Sequence, residues 1–186
     1  MWPDKILQQF QTVPSYPRAY DFLGPYNKLL YTFFPADSDF SVIPQYREPP
    51  SRDSTNFIMC FEIQFRNSPV LFLVLKDPSE ILLISTRREA DDQIRSWMGD
   101  LVGHCPLPTM HAVSILGTAL CFYSLDTADA NAPILPLRIS QHPTKLTDCA
   151  PANRWEHNIL AEKGEAKLRA IIEEVLQGCA ALPADA

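Results

Sequence analysis

The segment 56–76 constrains this chain more than any other. NFIMCFEIQF (56–65) and PVLFLVLK (69–76) are apolar at almost every position and are separated by only three residues. A strand with one wet face alternates apolar and polar residues, whereas a continuous apolar run is buried on both faces. Asn67-Ser68 is a turn signal that joins the two runs into a hairpin. Such a hairpin belongs inside a sheet, and the sheet needs cover on both sides.

Helical periodicity elsewhere supplies that cover. In 20–34 the residues Phe22, Tyr26, Leu29, Leu30 and Phe33 recur at helical spacing, and Pro35 ends the run. Thr86 reads as an N-cap with Glu89 closing a capping box, and the helix extends to about Val102. Its apolar face is Ala90, Ile94, Trp97, Met98 and Leu101. The segment 161–176 is a terminal helix with Leu168, Ile171, Ile172, Val175 and Leu176 inward, and 3–11 is a short first helix. A strand over 40–45 is stopped near Pro44. A second strand pair, 111–116 and 119–125, turns at Gly117-Thr118, and 135–139 is a further short strand. The order α–β–β–β–α–β–β–α predicts an α/β (α+β) fold: a mixed central β-sheet flanked by helices. The expectation is one domain over 1–186. It has an N-terminal extension at 1–19, a core at 20–178 and a frayed tail at 179–186.

Lysine and arginine number 16 against 22 aspartates and glutamates, a formal charge of −6. That excludes nucleic-acid coating by bulk positive charge, although not a local basic groove. The five cysteines are widely spaced without a CxxC, which argues against zinc and against a disulfide framework. The first residues carry no secretory pattern and the longest apolar run is far short of a bilayer span. An intracellular protein, cytoplasmic or nuclear and without a membrane, is therefore expected. Seventeen prolines against six glycines mark anchored extended connections rather than flexible linkers. No histidine pair has metal-ligand spacing, and neither a nucleophile elbow nor a glycine-rich phosphate loop occurs.

One stretch carries a possible chemistry. Val74 and Lys76 end the second apolar run two residues apart, so they share a face. The following helix carries Arg87, Arg88, Asp91, Asp92 and Gln93. This arrangement resembles the PD-(D/E)XK nuclease-like superfamily. More narrowly, the chain is similar to a family of uncharacterised proteins of mushroom-forming fungi (basidiomycetes). The words that carry the similarity are GPYNKLLYTFFP (24–35), FSVIPQY (40–46), PVLFLVLKDP (69–78), STRREADDQI (85–94), LGTALCFYSLD (116–126) and APANRWEHNIL (150–160). The resemblance covers roughly 20–178 and implies a restriction-endonuclease-like core.

In active members of that superfamily an aspartate opens one strand, and an acid stands two residues before a lysine on the next. The acids hold Mg²⁺, which activates a water, and the lysine steadies developing charge. Carried onto this chain, the first aspartate falls on Asn56, the second acid on Val74 and the lysine on Lys76. Gln93 matches a glutamine of the following helix. Both carboxylates are thus replaced, and Mg²⁺ binds poorly to an asparagine and a valine. The resemblance therefore implies a degenerate pseudo-nuclease, with no resident metal, that acts by binding a nucleic acid or a protein.

Three alternatives stand beside that expectation. Asp53, Asp77 or Asp91 could serve as relocated carboxylates and restore an Mg²⁺-dependent phosphodiesterase. Val74 makes the cleft more apolar, which would suit a small organic ligand or chemistry without a metal. An exposed edge near 118–125 would allow a homodimer. Arg87 and Arg88 are the candidate binding cations, against the plainer reading of a solvated first turn. Lys76 likewise is either a remnant of the motif or a solvated strand end. Trp155 is expected to pack the terminal helix against the sheet.

Overall fold

Burial of the central hairpin on both faces is achieved by a sheet between two unequal layers. The computed structural model describes residues 1–47, 58–129 and 131–183. Along the chain the elements are α1 (Asp4–Gln11), α2 (Leu23–Phe33), β1 (Phe40–Arg47), β2 (Ile58–Phe65), β3 (Ser68–Lys76), α3 (Ile84–Leu101), β4 (Thr109–Leu116), β5 (Ala119–Asp126), β6 (His157–Asn158) and α4 (Glu162–Ala180). Among the described residues the strands form one six-stranded sheet in the order β1-β2-β3-β4-β5-β6. All neighbours run antiparallel except β3 and β4, which are parallel, with Lys76 beside Leu116. Parallel neighbours need a crossover, and α3 is that crossover. The sheet is mixed, and the α+β class follows.

One face of the sheet carries Phe61, Ile63, Leu71, Leu73, Val113 and Ile115. They pack against Tyr26, Leu29 and Leu30 of α2 and Leu168, Ile172 and Val175 of α4. The segment 1–11 joins this core rather than extending away from it. Trp2, Ile6 and Phe10 are buried, and Trp2 Nε1 donates to the Ile159 carbonyl at 2.7 Å. The other face carries Phe72, Val74, Met110, Ala112 and Tyr123, covered by Ala90, Ile94 and Met98 of α3. Each large side chain so buried contributes about 1.5–3 kcal/mol before the entropy of ordering it.

Several expectations shift at the element ends. β1 runs through Pro44, which pairs with Phe61, because β1 is the sheet edge and a proline there costs no ladder bond. The hairpin turn is centred on Arg66 and Asn67, both at positive φ, one residue earlier than Asn67-Ser68. Helix α3 begins at Ile84, so Thr86 is not its N-cap. Its hydroxyl donates back to the Glu80 and Leu83 carbonyls instead. The expected strand over 135–139 is reduced to a single bridge between Leu135 and Ser124. Helix α4 continues to Ala180 and buries Cys179, while Leu176 is only partly buried. Trp155 packs on the α3 side among Ala90, Met98 and Ala150, not under α4, and its Nε1 donates to Ser114 Oγ at 3.2 Å. β5 is not a bare edge, because β6 pairs with Ala119 and Leu120.

Gly117 has φ +67 in the β4–β5 turn, and a Cβ there would lie 2.6 Å from Pro78 Cγ. Glycine is required on both counts. The Gly117 carbonyl accepts from the wholly buried Tyr26 hydroxyl at 2.9 Å. The turn is thereby tied to α2, beside the end of β3.

Candidate functional site

The end of β3 and the start of α3 hold most of the residues that the motif singled out. Val74 points at the α3 layer and is 1% exposed, within the apolar cluster that includes Cys60, Phe72, Ala90 and Ile94. Lys76 follows on the same face by alternation, with its side chain only 10% exposed. Its ammonium donates to Glu80 Oε2 at 3.1 Å. Pro78 opens a 3-10 turn over Pro78–Leu82, and that turn folds Glu80 back under Lys76. Burial raises the Glu80 carboxyl above its ordinary range, and Lys76 pulls it partly back. Sequence reasoning missed Glu80. The signal was present in the i, i+4 spacing from Lys76 with a proline between them.

The cross-strand pairs Cys60 with Val74 and Glu62 with Phe72 place Glu62 on this same face. Glu62 is buried and accepts from Gln45 Nε2 at 2.9 Å and Gln64 Nε2 at 2.6 Å. Those two amides pair with the buried carboxylate, which would be costly to leave unpaired. Gln93 is buried on α3, and its Oε1 has no hydrogen-bond partner among the described residues. Asn56 and Asp53 lie outside the described residues.

The remaining candidates are engaged in holding the fold. Arg87 is buried, donating to the Ala150 carbonyl at 2.8 Å, the Ile81 carbonyl at 2.6 Å and Asp148 Oδ2 at 2.5 Å. Arg88, one residue on, is exposed. Asp77 points away from Lys76. It accepts from Arg18 Nη1 at 2.8 Å and from the Ala19 amide at 2.6 Å, which anchors the entry to α2. Asp92 pairs with Arg138 at 2.7 Å.

Asp91 is the most enclosed carboxylate of this group. Oδ1 accepts from Tyr123 OH at 2.8 Å, Arg154 Nη1 at 2.5 Å and Arg95 Nη2 at 3.1 Å, and Oδ2 accepts from Arg95 Nε at 2.8 Å. Each arginine also donates to main-chain carbonyls of the proline-spaced loop: Arg95 to Ile134 and Pro136, Arg154 to Leu137. This network explains how a long connection with few strand contacts is held on α3. The prolines stiffen it and the arginines fasten its carbonyls. It also commits Asp91 to two arginines and a tyrosine, whereas Lys76 pairs with Glu80. Burial pushes the nearby Cys121 thiol up to about 12 and raises the Tyr123 hydroxyl as well, so neither is an activated group at neutral pH.

Among the described residues, no three His, Cys, Asp or Glu side chains converge as a metal site requires. No helix of the described residues is long and apolar enough to cross a membrane. Comparison of the chain with models of known families, with curated proteins and with solved structures finds no match.

Proposed function

We propose that this chain is a catalytically degenerate PD-(D/E)XK-like domain that acts by binding, and that its partner is a protein. The observation that carries the reading is the pairing of Lys76 with Glu80 beside a buried Val74. A lysine that steadies charge on a phosphate must face the phosphate, and this ammonium is spent on a carboxylate within its own turn. The acid position before it is filled by a side chain that belongs to the apolar core. Arg87 is spent in the same way on Asp148 and two carbonyls.

The choice of a protein over a nucleic acid rests on charge and on exposed apolar surface. The chain carries −6, and at this end Lys76 and Arg87 are paired with Glu80 and Asp148, which leaves Arg88 as an exposed cation. Directly after Glu80, Leu82 and Leu83 are 76% and 58% exposed and Ile84 is exposed as well. Consecutive exposed apolar residues at the mouth of a former cleft fit a protein contact better than a phosphate backbone.

The test is a cleavage assay with single- and double-stranded DNA and RNA in Mg²⁺, Mn²⁺ or EDTA, with Lys76→Ala alongside and circular dichroism to check the fold. No EDTA-sensitive cleavage is expected. Cleavage that EDTA and Lys76→Ala both abolish would overturn the reading in favour of an Mg²⁺-dependent phosphodiesterase. Tight, salt-sensitive binding of uncleaved nucleic acid would overturn the choice of partner.

A further inference from the structure

The edge of the sheet at β5 is covered at two places and open between them. β6 pairs with Ala119 and Leu120. Four residues on, Ser124 exchanges both main-chain bonds with Leu135, at 3.0 and 2.9 Å. In an antiparallel ladder the main-chain groups of alternate residues point to opposite neighbours. The Thr118 carbonyl bonds outward to the Ile159 amide at 2.8 Å, and Ser124 bonds outward to Leu135. By the same alternation the Phe122 N–H and C=O also point outward, and among the described residues no strand stands opposite them.

What stands there is a cavity of about 450 Å³, bounded by β5, Leu135-Pro136, the turn at 153–157 and α4. That volume is typical of small-ligand sites. Two buried ring atoms in its wall, His157 Nδ1 and His111 Nε2, have no hydrogen-bond partner among the described residues. His111 is more than nine-tenths buried. Its Nε2 lies 3.0 Å from Glu174 Oε1, but not in line for a hydrogen bond.

Charge in the wall is arranged by depth. Arg154, with its side chain 8% exposed, shares the single carboxylate of Asp91 with Arg95, so the inner end carries an excess of positive charge. Lys167 adds a cation at the mouth, where Glu156 and Glu174 are exposed carboxylates. Leu135 and Ile171 supply apolar wall between the two ends.

We propose that this cavity binds a short extended amide ending in one carboxylate and bearing an apolar side chain, the chemistry shared by a peptide C-terminus and an N-acylated amino acid. The amide completes the missing rung against Phe122, in the manner of a strand added to a sheet edge. The carboxylate sits at the inner, Arg154 end, the side chain lies against Leu135 and Ile171, and at the mouth Lys167 attracts the anion while Glu156 and Glu174 disfavour a second negative charge. The site is two strands away from Lys76 and uses none of its residues, so it stands or falls independently of the function proposed above.

The test is an amide-resolved NMR titration of the intact chain with N-acetyl-valyl-leucine, its C-terminal amide and N-acetyl-leucine. Saturable shifts at the Phe122 and His157 amides are expected with the acid, with the C-terminal amide weaker by at least about tenfold. Lys167 is exposed, so Lys167→Glu keeps the fold and is expected to weaken the acid by a smaller factor, and only at low salt, while leaving the amide unchanged. Tighter binding of the dipeptide than of N-acetyl-leucine assigns the site to a peptide end, and equal binding assigns it to a small acylated amino acid. Equal binding of acid and amide, or no saturable shift at millimolar probe, would overturn the proposal.

Discussion

Lys76 and Glu80 show at the residue scale how one turn changes what a strand-end lysine can do. The Glu80 carboxyl is raised above its unfolded value by burial, with Lys76 opposing the rise. A carboxyl raised on folding contributes stability that is present below its unfolded pKa and is lost as pH rises through its folded pKa. Removing the ammonium raises the folded value further and deepens that loss. Lys76→Met should therefore destabilise little at acid pH, where Glu80 is protonated in both proteins, and progressively more towards neutral pH. Urea midpoints of both proteins across that range check it, and a pH-independent difference would contradict it. Spacing made Lys76 legible in the sequence. Its partner stood at the i, i+4 spacing, but that spacing brings the two charges together only through the 3-10 turn over Pro78–Leu82, a backbone geometry that the residue types do not specify.

At the element scale, the contact between α4 and β6 is set by one glycine. A Cβ at Gly164 would lie 2.0 Å from the Asn158 carbonyl oxygen. That oxygen belongs to the strand that caps β5, so it cannot move without loosening the β5–β6 pairing. Gly164→Ala should therefore destabilise by about 1–3 kcal/mol, although alanine is the better helix former by about 1 kcal/mol. Gly99 in α3 has open space around its Cβ position, and there the same substitution should stabilise by up to about 1 kcal/mol. Denaturant unfolding of the two variants gives opposite signs if the close approach is real. The long elements were legible because their apolar residues repeat over many positions. The two-residue β6 was not, since two residues carry no period, and the strand expected over 135–139 shrinks to the single bridge at Leu135.

At the scale of the whole molecule, α1 and α4 are 150 residues apart in sequence yet share one core. Trp2 donates to the Ile159 carbonyl, meets Phe33 edge-on at 5.9 Å and lies 4.2 Å beneath the Arg169 guanidinium. Trp2→Ala should cost about 3–5 kcal/mol and lower the unfolding midpoint of the whole domain. An unchanged midpoint would mean that the first helix is not part of the cooperative unit.

The sequence by itself determined the class of the fold. Two almost wholly apolar strands demand cover on both faces, and three periodic helical segments provide it. It also determined that Asn56 and Val74, the positions where the proposed nuclease-like reading would need acids, carry no carboxylate, since identity at a position needs no coordinates. Only the tertiary structure decided which charges remain available. Arg87, Asp77 and Asp91 read in sequence as free site residues, and each is consumed by a partner 58 to 63 residues away. The opening beside Phe122 likewise exists because segments from three parts of the chain stop short of one another. Local pattern is short-range, whereas the satisfaction of buried charge and the closure of a sheet edge are settled by whatever the fold brings alongside.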